Sequence, residues 1–299
     1  MKIRALLVLS CIAFALAAGL AVLPHVFAVE PDEEAYEFYF TRLIYGGGGR
    51  GGGRGGGRSS DAFDLDDRNI CRDAQSMAAR HGGGTWATDY PEADCKFMWG
   101  VERMTNARIH KEPNAVRIMD PKLFSFPFVY AVEVGRGMDL SDEEAKTMRE
   151  YLDRGGFWWI DDFWGLDEWD NFALNMAKVF PEHTQALEDP RHSPLELTPQ
   201  HEAFHTFFNI PTVMQIPNIS NGRRYTQTNG QARLWERDSD TQARVFGISD
   251  DHGRLQVLIT YNSDLGDAWE WMDDPEYPET FSGQAYRMGM NFIIFGMTH

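Results

Sequence analysis

The pattern His201-Glu202-Ala203-Phe204-His205 reads H-E-x-x-H. On a helix, two histidines four apart face one metal ion, usually zinc, and the glutamate acts as general base for the bound water. Thr198 as cap and Pro199 at the first position predict the start of such a helix, and Pro211 ends it within about three turns. Thr206 to Trp235 contains no Asp, Glu or His, so the fold would have to bring a third ligand from further off, Glu236 or His252, or Asp89 or Asp161. Two readings follow: a metal-dependent hydrolase built on His201, Glu202 and His205, or a pair of hydrogen-bonded structural histidines.

Carboxylates make a second set. Asp161-Asp162 closes the apolar run Phe157–Ile160, and in an open α/β sheet the carboxyl ends of the strands carry the ligands. Successive strand side chains face opposite ways, so only one of the two acids meets a cleft. The alternative is that one caps the next helix and the other forms a buried pair with Arg42 or Arg136. Trp86-Ala87-Thr88-Asp89-Tyr90-Pro91 is a third dense cluster, ahead of a helix predicted over Ala93–Met104. Either Thr88 or Asp89 caps that helix, or Asp89 faces a cleft beside Arg42. Arg42, Thr88, Asp89, Tyr90, Arg136, Asp161, Asp162 and Asn291 are the candidate ligand-binding residues. No catalytic residue is assigned.

The elements that must position these groups are clearest from Phe126 to Gly165. Phe128–Val134 is apolar at strand length, as in a strand buried on both faces of a parallel sheet. Ser141 and Glu144 form a capping box, Ala145, Met148 and Leu152 give a buried stripe, and Gly155 marks the helix exit. Phe157–Ile160 is the next strand, so the unit is βαβ and the fold class is α/β. Glu37–Tyr45 predicts an earlier strand, and Ala243–Ile248 and Leu255–Tyr261 predict a hairpin. Trp169–Val179 and Gln284–Met297 read as helices. Pro211–Gln231 reads as loop. Trp269 and Trp271 fall in an acidic aromatic stretch expected to form a rim or lid. The neighbouring tryptophans Trp158, Trp159, Trp164 and Trp169 read as packing, with a sugar-binding row as the alternative.

Composition limits the partners. A formal net charge of −17 repels phosphate backbones and anionic lipid, which excludes nucleic acid and leaves membrane attachment only through the amino terminus. There, Lys2 and Arg4 precede a 19-residue apolar run, Ala5–Leu23, broken only by Ser10, and Val26-Phe27-Ala28 follows as a processing site. Residues 1–28 therefore predict export, as a cleaved signal peptide or an uncleaved anchor. Residues 29–299 predict one α/β domain. It carries a Gly/Arg-rich insert at 46–58, GGGGRGGGRGGGR, expected to be disordered. In an oxidising compartment Cys71 and Cys95 either pair or remain as buried thiols.

Taken in order, Phe40-Thr41-Arg42, Trp86-x-Thr88-Asp89-Tyr90-Pro91, Phe126-Pro127-Phe128-Val129-Tyr130, Leu152-Asp153-Arg154-Gly155-Gly156-Phe157, Asp161-Asp162-Phe163, Val179-Phe180-Pro181, His201 with Phe204-His205, Phe207-Phe208, and Arg287-x-Gly289-x-Asn291 span nearly the whole chain after its leader. This series resembles the bacterial family of domain of unknown function 4159. The resemblance implies a three-layer α/β/α fold similar to class I glutamine amidotransferases, with a mainly parallel, flavodoxin-like sheet. It implies no established activity, and an exported or membrane-attached location. An amidotransferase needs a nucleophilic cysteine on a sharp turn after a central strand. Neither Cys71 nor Cys95 stands at such a place, so the expectation is a pseudo-enzyme that binds a small ligand or a protein at the cell envelope, without a cofactor, or with zinc if the H-E-x-x-H reading holds.

Overall fold

The computed structural model describes residues 38–46, 84–110, 112–181 and 194–299. The leader, the Gly/Arg insert beyond Gly46, and Cys71 lie outside the described residues. In chain order the elements are β1 (Thr41–Ile44), α1 (Glu92–Met104), β2 (Asn114–Arg117), β3 (Phe128–Val132), α2 (Val134–Gly137), α3 (Asp142–Asp153), β4 (Phe157–Asp161), α4 (Gly165–Val179), β5 (Leu195–Glu196), α5 (Ile219–Gln227), β6 (Arg244–Ser249), β7 (Leu255–Tyr261), α6 (Leu265–Glu270) and α7 (Glu279–Thr298).

The βαβ unit forms as its end signals require. Ser141 Oγ accepts from the Glu144 amide at 3.2 Å while Glu144 Oε2 accepts from the Ser141 amide at 2.9 Å. Ala145, Met148 and Leu152 are buried, and Gly155 leaves the helix at φ 102°. β3 stops at Val132, short of the predicted Val134, because Glu133 turns to φ 54° and its amide donates to Asp162 O. The chain then makes the single helical turn of α2.

The seven strands lie in the order β2-β1-β3-β4-β7-β6-β5. The pairs from β2 through β7 are parallel, whereas β6 and β5 add to the β7 edge antiparallel. The chain goes outward from β1 to β2 and then crosses to β3, so winding reverses between β1 and β3, as in doubly wound sheets of flavodoxin type. One core lies between the sheet and α1, α6 and α7, and holds Phe97, Phe128, Tyr130, Trp159 and Trp269. The other lies against α3 and α4, and holds Val129, Ala131, Trp158, Ile160 and Phe172. The result is three layers, α/β/α.

Alternation sends Trp158 and Trp159 into opposite layers. Trp158, Trp159 and Trp164 are fully buried and Trp169 packs its ring against Phe163, Phe172, Phe246 and Tyr261, so these tryptophans offer no exposed row for a sugar. Trp269, expected on a rim, is core instead: α6 carries it under the sheet edge, where its ring stacks on Phe97 at 4.2 Å. Truncating such a ring to Ala costs about 3–5 kcal/mol. The predicted first strand is shorter than its sequence pattern, with Phe38 making only an isolated bridge to Ile109. The stretch read as loop contains α5. Asn218 caps it by accepting from the Asn221 amide at 2.9 Å, and Gly222 lies within it because a methyl there would run into the Tyr277 ring.

Candidate functional site

Four turns meet at the carboxyl edge of the parallel strands. Each carries an acid or amide with left-handed backbone: Asp89 (φ 61°) before α1, Glu133 (φ 54°) after β3, Asp162 (φ 52°) after β4 and Asn262 (φ 56°) after β7. Asp and Asn tolerate this region better than most residues because a short polar side chain can bond locally. The turns are tied to one another. Glu133 N donates to Asp162 O at 3.0 Å, Asn262 N to Phe163 O at 3.1 Å, and Gly165 N to Asn262 Oδ1 at 2.9 Å.

These ties bring carboxylates together. One oxygen from each of Asp89, Asp162 and Asp264 lies within 4.8 Å of the other two. Asp89, Asp267 and Glu270 form a second such triplet, and Asp89 belongs to both. Asp162 Oδ1 accepts from Trp164 Nε1 at 2.8 Å, Asp264 Oδ1 from the Asp267 amide at 2.8 Å, and Asp267 Oδ2 from the Ile219 amide at 2.7 Å. Asp89 Oδ2 and Glu133 Oε2 are shut off from solvent without a hydrogen-bond partner. Burial pushes Asp89, Asp162 and Asp264 above the ordinary carboxylate range, and the neighbouring acids push them further. Burial and then the Asp267 charge raise Glu270 to about 7. Burial raises Glu133 to about 7 even though Arg136 opposes it.

The nearby cations are engaged elsewhere. Arg136 pairs with Glu133, Arg237 with Glu168 at 3.1 Å, and Lys96 with Asp273 at 2.7 Å. Arg42 is fully buried and forms a two-pronged pair with Asp94 of α1. It also donates to Thr88 O at 2.9 Å and Trp86 O at 3.4 Å, and lies 4.9 Å from the Tyr130 ring centroid and 5.7 Å from that of Tyr90. Arg42 is therefore a post that holds the 86–90 turn from beneath, not a cleft residue.

The other predicted residues sort by the same contacts. Neither Thr88 nor Asp89 caps α1, whose first residues follow Pro91 without a side-chain cap. Thr88 serves through its carbonyl, and Tyr90 is buried next to Trp86. Asp161 accepts from Tyr130 Oη at 2.7 Å, Thr260 Oγ1 at 2.5 Å and the Leu265 amide at 3.0 Å. Neither it nor Asp162 pairs with Arg42 or Arg136. As strand alternation requires, one acid of the pair enters the core and the other the carboxylate cluster. Asn291 lies on α7, where Oδ1 accepts from the Phe207 and Phe208 amides at 3.1 and 2.7 Å. It touches none of the clustered acids.

That last contact explains why the H-E-x-x-H segment is not a helix. Because the Phe207 and Phe208 amides go to Asn291, the segment stops as the single 3-10 turn Glu202–Phe204. His201 Nδ1 accepts from the Ala203 amide at 3.2 Å, and His205 Nε2 lies 2.6 Å from Pro199 O. Among the described residues neither histidine belongs to a group of three metal-ligating side chains.

Glu133, Asp264, Asp267 and Glu270 were not among the predicted residues. The available signal was the run Asn262-Ser263-Asp264-Leu265-Gly266-Asp267 directly after the strand Leu255–Tyr261. It read as rim because that strand was placed only in a hairpin. Its pairing with β4 is parallel, and this puts the run on the ligand-bearing edge.

Sheet order and clustered acids together define a doubly wound α/β protein with a cluster of carboxylates at its carboxyl edge. Residues 77–297 match the family described as Domain of unknown function (DUF4159), and the chain belongs to that family. No curated protein matches it. Among the described residues no helix is long and apolar enough to cross a membrane.

Proposed function

We propose that the protein is an exported, amidotransferase-like domain without the catalytic nucleophile, and that it binds a cationic ligand at the cell envelope. The observation that carries this reading is the convergence of Asp89, Asp162, Asp264, Asp267 and Glu270, none of which forms an ion pair with a basic side chain among the described residues. Buried like charges are unfavourable unless protonated or matched by a cation. The turns after β3 and β4, where an amidotransferase-type fold would place its nucleophile, carry Glu133 and Asp162. Cys95 is disulfide-bonded, which fits an oxidising compartment and the amino-terminal export pattern.

Calorimetric titration of the purified full chain with calcium, magnesium, manganese and spermidine tests the reading, alongside Asp162→Asn. Saturable binding of at least one cation, weakened in the variant, is expected. Absence of binding by every one of them would sink it.

A further inference from the structure

We infer that the carboxylate cluster holds two hard divalent cations bridged by the carboxylate of Asp89. One cation sits between Asp89, Asp162 and Asp264, and the other between Asp89, Asp267 and Glu270. The inference rests on the cationic-ligand reading above and names its ligand.

Geometry assigns the bridge. Asp89 is the member common to two triplets whose oxygens lie within 4.8 Å of one another, which is how a carboxylate shared by two metal ions is placed. An independent observation points to a missing partner. Asp89 Oδ2 has no solvent contact and no hydrogen-bond donor, and Glu133, only 7 % exposed, leaves Oε2 equally unpartnered at the rim of the first triplet. Buried carboxylate oxygens in native proteins are almost always satisfied, so two left unmatched beside these triplets mark a ligand.

Charge decides the number of ions. With all five carboxylates ionised, one divalent cation leaves three uncompensated negative charges in a buried site, and two leave a single one. Donor chemistry decides the class. An all-carboxylate set without His or Cys suits magnesium, calcium or manganese over zinc or copper. The backbone makes room for the carboxylates: Gly266 passes so close that an added methyl would overlap Asp89 Oδ2 and lie 3.6 Å from Asp264 Oδ1.

Manganese supplies a direct readout, because two ions sharing a carboxylate are exchange-coupled and give an electron paramagnetic resonance spectrum unlike that of isolated ions. The purified full chain is titrated with manganese chloride, and bound metal is counted after desalting. Two ions per chain with a coupled spectrum are expected. Asp89→Asn is expected to weaken both sites by at least about tenfold. Glu270→Gln is expected to leave one ion with an uncoupled spectrum. One uncoupled ion in the unaltered protein, or spermidine binding without manganese binding, would overturn the bridged pair while leaving a cationic pocket. Failure of every cation to bind would overturn both readings.

Discussion

Arg42 shows why a buried charge pair at this edge is structural. Its guanidinium and the Asp94 carboxylate are both fully buried, and the same guanidinium holds the carbonyls of Trp86 and Thr88. Removing one partner strands the other charge, so Asp94→Asn is expected to lower stability by about 3–5 kcal/mol. The double variant Arg42→Met, Asp94→Leu is expected to recover part of that loss. It cannot recover all of it, because the two carbonyls lose their donor. Urea unfolding of the three proteins checks this, and a double variant less stable than Asp94→Asn would contradict it. His201 makes a pH prediction at the same scale. Burial lowers its pKa below the ordinary 6.5; Glu202 opposes the shift and His299 adds to it, while the Phe295 ring packs on its other side. The unfolded chain therefore binds the proton more readily, and stability contributed by His201 is lost as pH falls from about 6.5 toward the lowered value. His201→Asn keeps an acceptor for the Ala203 amide and removes the titration. The variant is expected to match the parent at pH 8 and to exceed it at pH 5, with a difference in slope no greater than about 1.4 kcal/mol per pH unit. Parallel curves in denaturant at the two pH values would show that the ring's burial is unimportant.

Elements differ in how far the sequence announces them. The unit from β3 to β4 was legible because its helix has a side-chain cap at one end and a glycine at the other, and its strands are apolar throughout. The family resemblance extended this to a three-layer fold with a mainly parallel sheet, as observed. α5 and α6 were not legible. α5 begins on Asn218, holds Gly222, and borrows Asp267 from a distant element to bond its first amide; local signals there read as turns. α6 is too short to show a periodic stripe, and its position comes from long-range bonds. The pocket was half legible for the same reason. Asp89 and Asp162 stand beside turn and strand signals, whereas Asp264, Asp267 and Glu270 acquire meaning only once β7 is known to lie parallel to β4. The helix expected over H-E-x-x-H does not form for the opposite reason: a local pattern is overridden by Asn291, more than eighty residues away in sequence. One residue shows how an element depends on such distant bonds. Asp161 joins β3, β7 and the first amide of α6 through Tyr130, Thr260 and Leu265. Asp161→Ala orphans these donors, at about 1–3 kcal/mol each where they stay buried. We expect an unfolding free energy lower by several kcal/mol and, because α6 carries Asp267 and Glu270, manganese binding weakened by more than about tenfold. A variant that loses stability yet binds manganese as the parent does would show that α6 is held by packing alone.

The whole molecule carries a formal charge of −17, and only part of its acid repulsion is open to solvent. Monovalent salt screens exposed charges over a Debye length of about 10 Å at 0.1 M and reaches buried ones poorly. Asp162, Asp264 and Asp267 of the cluster are buried and Asp89 and Glu270 partly so, so much of their repulsion should persist in sodium chloride and yield only to an ion that enters. Stability therefore ought to respond to ion identity at fixed ionic strength. In sodium chloride alone, Tm is expected to rise gradually without saturating. Replacing part of it with manganese or calcium chloride at the same ionic strength is expected to raise Tm further, along a saturating curve. A ligand at one hundred times its Kd adds about 2.7 kcal/mol, which for a protein of this size corresponds to roughly 5 °C or more. Glu270→Gln should shrink the divalent increment and leave the sodium chloride response unchanged, because it alters the pocket and hardly alters the net charge. Identical melting curves for sodium and divalent salts at matched ionic strength would assign the stabilisation to surface screening, and the buried acids would then be held by protonation alone.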